Sequence, residues 1–233
     1  MNPALLSQIA IYAVPVIIAI TLHEAAHGYV ARHFGDHTAA DLGRVTLNPL
    51  KHVDLFGTVL LPAVLLLSHA GVLFGYAKPV PVKFGALDNP KRDMIWVAAA
   101  GPAMNFFLAL LSAIILLAAL LLGADGKSWT VQLFVVSIAI NLGLAILNLL
   151  PLPPLDGGRV VTGLLPMRLA IPFSKIERYG MLLIIGMLVL LPMLGQQLGI
   201  NLDIFNLLVG APRQYLMNAI LGAVVSAAHW LGR

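Results

Sequence analysis

The 233-residue sequence predicts an all-α polytopic membrane protein. Three observations carry that expectation. Sixty per cent of the residues are apolar and only 10% are charged, with a mean hydropathy of +0.93, and soluble domains do not have this composition. Apolar runs of membrane-crossing length recur along the chain, giving about five to six segments. The basic residues are spread along the stretches between those runs and form no patch with interleaved aromatics. The formal charge of +4 therefore reports topology and not a nucleic-acid partner. There is no Cys, which excludes a disulfide framework and a thiolate metal site.

The first segment runs from Leu5 to about Val30. Residues 1–20 contain no Lys or Arg, unlike the basic start of a signal peptide, so the segment is expected to be retained as a spanning helix. Residues 31–55 are polar, punctuated by Gly35, Gly43 and Pro49, and predict a loop at the membrane surface. His33 and His37 repeat an i, i+4 spacing there without an intervening Glu, which suits a solvated loop better than a metal site. Phe56–Tyr76 is apolar and nearly long enough to cross, but Pro62, Gly71 and Gly75 interrupt it. Lys78-Pro79-Val80-Pro81-Val82-Lys83-Phe84 is held extended by its prolines, which fit an edge strand and exclude a helix or a central strand. Met94–Leu122 and Trp129–Leu150 are clear spans, Leu182–Leu198 is a further one, and Leu216–Leu231 is a last span or an interfacial helix.

The chemistry concentrates in His23-Glu24-Ala25-Ala26-His27, near the end of the first segment. Helical positions i and i+4 lie about 40° apart, so both imidazoles can face one zinc while Glu24 stands beside its open coordination position. Ionisable groups inside a spanning helix cost roughly 2.5–3.5 kcal/mol each and by default mark function. Two hydrogen-bonded core histidines would leave Glu24 unexplained.

Two His need a third protein ligand. The fourth apolar run ends in Asn148-Leu149-Leu150-Pro151-Leu152-Pro153-Pro154-Leu155-Asp156-Gly157-Gly158-Arg159. Its prolines free backbone groups that lipid cannot satisfy, so this stretch must lie against protein or line a wet cavity. Asp156 is the carboxylate embedded in it. The competing reading is a turn or capping Asp before Gly-Gly.

HEAAH, then GPAMN at 101–105, then NLLPLPPLDGG at 148–158, resemble in order the three signatures of the site-2 protease family of intramembrane zinc metalloproteases. The resemblance implies His23, His27 and Asp156 as ligands of one zinc ion per chain and Glu24 as general base. Asn148 would contact the substrate strand or the oxyanion. The alternative for Asn148 and for Asn105 is an interhelical hydrogen bond, which suits Asn105 better and leaves it, with Gly157 and Gly158, a structural residue near the site. The Pro79–Phe84 edge resembles the family's membrane-associated β element, which pairs with an unwound substrate. About 50 residues separate Asn105 from Asp156, too few for the PDZ domain that many relatives insert, so this is a short form. The chain reads as one intramembrane metalloprotease domain, 1–233, with a catalytic core at 5–165 and C-terminal helices at 166–233.

The expected function is zinc-dependent hydrolysis of peptide bonds in or near transmembrane segments of membrane-protein substrates within the lipid bilayer. The alternative is a membrane metal-ion transporter using the same His and Asp residues, which makes no use of Glu24. Parity bears on topology. His27 and Asp156 share a side of the membrane only if Phe56–Tyr76 enters and returns as a re-entrant hairpin. The ligand side then receives eleven basic residues, Arg32 through Arg178, and the other side only Lys127 before the C-terminal tail. The positive-inside rule turns the site toward the cytoplasm of what is expected to be a bacterial plasma membrane.

Overall fold

The computed structural model describes residues 3–60 and 78–232, and the described residues are helical with irregular connections. Three helices among them are long and apolar enough to cross a membrane: α1 (Pro3–His33), α3 (Pro90–Leu121) and α4 (Trp129–Asn148). α1 has 31 residues and α3 has 32. At ~1.5 Å per residue each exceeds the ~30 Å hydrocarbon layer, so the charged start of α3, Lys91-Arg92-Asp93, has room to reach the surface. Pro90 opens α3, where its missing N–H costs nothing. Ser128 caps α4 by accepting from the Val131 N–H.

These three helices pack on one another through small residues. Ala19, Ala25, Ala31, Ala109 and Ala145 are all buried, which lets the backbones approach as in other membrane bundles. α3 divides cleanly into two faces. Asn105, Leu108, Ala109, Ser112, Ala113 and Leu116 are buried, whereas Phe107, Leu110 and Ile114 are exposed. An apolar stripe facing outward is what lipid requires.

α2 (Thr38–Asp41) is a single turn after α1. Beyond α4 come α5 (Asp156–Leu164) and α6 (Met167–Ser174), with α5 packed against α3 and α6 against α5. The expected span at 182–198 is helical, built from α7 (Gly180–Ile185), the turn Gly186–Leu190 and α8 (Leu191–Leu198). It ends at Gly199, whose φ of 67° is a conformation glycine adopts freely. α9 (Ala211–Leu231) holds the last apolar run. It lies on α3 and α4, with Leu216, Met217, Ile220, Leu221 and Val224 against Ala109, Leu116, Ile138 and Leu142.

Two expectations need adjustment. The β element expected at Pro79–Phe84 is not formed as a strand among the described residues. Residues 78–83 are irregular and Phe84–Ala86 is a 3-10 turn. The physical reason is that its donors are used elsewhere. Pro79 and Pro81 have no N–H, Lys78 N–H donates to His52 O at 2.9 Å, Val80 N–H donates to Glu24 and Lys83 N–H to Asp36. No row of N–H groups is left for a ladder within the chain. The crossing or hairpin expected for Phe56–Tyr76 falls mostly on residues 61–77, outside the described residues. Its flanks are described. Leu55–Leu60 form a helical turn whose Phe56 and Gly57 N–H groups donate to Asp54, and the His52 to Lys78 hydrogen bond joins the two ends of the stretch.

Candidate metal centre

One helical turn of α1 separates His23 from His27, and both rings are buried against α3. Gly101 makes that approach feasible. A Cβ at this position would run into the imidazoles of both His23 and His27, so only glycine lets α3 back directly onto the two rings. Val97, Gly101 and Asn105 lie at i, i+4 and i+8 of α3 and form one face.

That face also fixes the rings. His27 Nδ1 lies 2.7 Å from the carbonyl of Val97, which can only accept, so Nδ1 carries the proton and Nε2 the lone pair. His23 Nδ1 lies 2.6 Å from Asn105 Oδ1, and the same assignment follows for His23. Partners of this kind on the second ring nitrogen are typical of metal-binding histidines.

The two Nε2 atoms are 3.1 Å apart. Asp156 Oδ2 lies 3.2 Å from the first and 3.3 Å from the second, and it is a buried oxygen with no hydrogen-bond donor among the described residues. Three electron pairs thus converge with no proton between them, which is repulsive unless a cation stands among them. The spacing fits zinc. Ligand atoms about 2.0–2.1 Å from a tetrahedral ion lie roughly 3.3 Å from one another. His23, His27 and Asp156 form the group of possible metal ligands found among the described residues.

The stretch before α5 delivers Asp156. α4 ends at Asn148 and the proline-rich chain turns back, so that α5 starts with Asp156 in its first turn, where the helix dipole favours a carboxylate. Gly157 and Gly158 permit this fold. A Cβ on Gly157 would strike the carbonyls of Leu149 and Leu150, and one on Gly158 would strike the backbone of Leu152 and Pro153.

Glu24 is half-buried beside the imidazoles, and its Oε2 accepts the Val80 N–H at 2.7 Å. A cavity of about 310 Å³ is lined by His23, Glu24, His27, Val80, Asn148 and Asp156, among others. Asn148 donates from Nδ2 to Leu144 O, 3.0 Å away on its own helix. Arg159 also borders this cavity, with its guanidinium 5.5 Å from the Phe84 ring centre and 3.2 Å from Glu177. His33 and His37 are exposed and stand outside the group.

Sequence reasoning placed Gly101 in the GPAMN signature and Val80 in the extended segment without giving either a role at the metal, and it missed the roles of Val97 and Asn141. Gly101 and Asn105 do share an i, i+4 spacing that aligns them on one face, a signal that was there to be read. Val97 and Val80 act through backbone groups, which leave no mark in a sequence.

Comparison with known proteins agrees with a zinc metalloprotease. The model of peptidase family M50 matches residues 11–125 and 123–193. The candidate zinc metalloprotease YwhC of Bacillus subtilis is 38% identical over 206 residues, 81% of this chain and 88% of that protein. The candidate zinc metalloprotease Rip2 of Mycolicibacterium smegmatis is 30% identical over 180 residues, 74% of this chain and 64% of that protein. Its Mycobacterium tuberculosis namesake is 35% identical over 143 residues, 60% and 52% of the two chains. No solved structure matches. With a family model covering most of its length and three electron-pair donors set at zinc spacing, the chain belongs to peptidase family M50, the site-2 protease family of zinc metalloproteases.

Proposed function

We propose that this zinc metalloprotease is an intramembrane endopeptidase. It cuts peptide bonds in or near transmembrane segments of membrane proteins, such as membrane-tethered regulators or leftover signal segments. The observation that carries the reading is the convergence of His23, His27 and Asp156 at 3.1–3.3 Å, with Glu24 in the same cavity, at one end of a bundle of membrane-length apolar helices.

His23, His27 and Asp156 would hold the ion, which when bound would supply Lewis-acid polarisation of the scissile carbonyl and lower the pKa of water toward about 7. Glu24 takes the proton of the attacking water and passes it to the leaving amine. Val80 N–H holds one of its oxygens, and the other serves as the base. Asn148 keeps a second amide N–H for the substrate strand or the developing oxyanion. A helical substrate shields its own peptide bonds, so it must unwind. The backbone of residues 80–82 borders the cavity as an edge on which the freed groups can pair.

The basic residues at the metal end, Arg32 in the last turn of α1 and Arg44, Lys78 and Lys83 in the connections, support a site opening toward the cytoplasm of a bacterial plasma membrane. The test is direct. Purified protein is assayed for zinc and incubated with a panel of single-span substrates, with and without chelator. Chelator-sensitive cleavage within or beside the span is expected. Zinc flux into liposomes without cleavage would favour a transporter.

A further inference from the structure

Behind His23 lies a buried polar chain that the chemistry above does not use. Asn105 and Asn141 are 0% and 1% exposed. Asn105 Nδ2 is 3.3 Å from Ala19 O and 3.0 Å from Asn141 Oδ1. Asn141 Nδ2 is in turn 2.9 Å from Ser137 O and 3.4 Å from Ser137 Oγ. Ser137 Oγ closes the chain at 2.8 Å from Ser112 Oγ.

The direction of the bonds made by the two Asn amides follows from the chain's two backbone carbonyls, which can only accept. Ser137 O requires the amide nitrogen of Asn141 on its side, which turns Asn141 Oδ1 toward α3. That oxygen, together with Ala19 O, requires the amide nitrogen of Asn105, which turns Asn105 Oδ1 toward His23. An acceptor at Nδ1 puts the ring proton there and leaves the Nε2 lone pair facing His27 and Asp156. Without Asn141, the 3.3 Å contact to Ala19 O is the one bond left to choose between the two amide orientations. A flipped Asn105 would present NH₂ to His23 Nδ1 and favour the Nε2–H tautomer, which has no lone pair for the metal.

We propose that Asn141 is a positioning residue for the metal centre. Acting through Asn105, it sets the tautomer of His23 from a helix that contributes no ligand. This rests on the reading of His23 as a zinc ligand. The site's other histidine needs no such relay, because Val97 O orients it directly.

The experiment uses full-length protein in detergent with ¹⁵N-labelled histidine, and His23 resonances are assigned by their loss in His23→Ala. In metal-free wild type, His23 is Nδ1-protonated. Asn141→Leu brings a population protonated at Nε2 and weakens zinc binding, by chelator competition, about tenfold, the lower end for outer-shell partners. Asn141→Asp is the rescue. In the bundle interior it takes up a proton and offers the same acceptor to Asn105 and the same donor to Ser137 O, so tautomer and affinity stay near wild type. In an Asn105→Leu background the relay is already broken, and Asn141→Leu should then change zinc affinity less than about twofold. Two results would overturn the proposal: an unchanged His23 tautomer in Asn141→Leu, or an equal loss of affinity in the Asn105→Leu background, which marks a packing role alone. Zinc bound at wild-type affinity by His23→Ala would instead remove the ligand assignment beneath it.

Discussion

The backbone N–H of Val80 donates to Oε2 of Glu24 at 2.7 Å. It joins a segment with a proline on each side of Val80 to the carboxylate beside the two imidazoles. The same segment is fixed at its ends by the Lys78 to His52 and Lys83 to Asp36 hydrogen bonds, and Arg44 Nη2 donates to the carbonyls of Lys78 and Pro79. A carboxylate held this way is presented in one orientation.

Val80→Pro deletes that N–H while keeping an extended backbone. Hydrogen bonds to charged groups are worth about 1.5–3 kcal/mol, so kcat should fall tenfold or more with zinc content unchanged. Val80→Ala keeps the N–H and should stay within about threefold of wild type. Equal activity of the proline and alanine variants in a cleavage assay would show that the contact is idle.

Gly101→Ala forces a methyl group into both imidazoles. Zinc affinity should drop by at least the 10–100-fold seen when groups supporting a ligand are lost. Gly186 and Gly222 have open space around an added Cβ, and alanine there should be neutral or stabilise by up to about 1 kcal/mol. Chelator competition and thermal melts on the three variants check this.

Asp36 supplies a pH dependence outside the spans. Burial pushes its carboxyl up, but bonds from Thr38 and the Lys83 N–H, with the Lys83 charge, outweigh it and hold it below its ordinary value. A carboxyl lowered in the folded state contributes stability above its unfolded pKa, near 4. That stability is lost as pH falls through the folded value. Melting temperature should therefore drop on acidification below about pH 4, and Asp36→Asn should start lower and show a shallower drop. Parallel curves for wild type and variant would remove Asp36 from the account.

Topology is testable because the chain has no Cys. Single cysteines at Lys51, Lys83, Lys127 and Lys175 can be labelled with an impermeant reagent in intact cells. The account expects labelling at 127 alone. Labelling at 83 with protection at 51 would contradict it, since the flanking His52 and Lys78 are hydrogen-bonded to each other.

What the sequence disclosed and what it hid divide along the range of the interactions. His23, Glu24 and His27 were legible because i, i+4 is a local property of a helix. Asp156 was legible because prolines in a membrane run demand a polar explanation. An interhelical hydrogen bond was the expected role of an Asn in a membrane helix such as Asn105, but nothing indicated that its partners would be His23 Nδ1, Ala19 O and Asn141. Those pairings span 82, 86 and 36 positions and depend on how α1, α3 and α4 are rotated against one another. The extended character of Pro79–Val82 was readable from its prolines, but its lack of a ladder was not. That follows from Glu24 and Asp36 taking its N–H groups.

The measurement that bears most directly on the central claim is zinc content and cleavage rate determined on the same preparation of Glu24→Gln. A general base is not a ligand, so the account predicts about one zinc per chain with cleavage reduced by roughly 10²–10⁴-fold or more. A Glu24→Gln protein that cleaves at the wild-type rate, or that has lost its zinc, would contradict it.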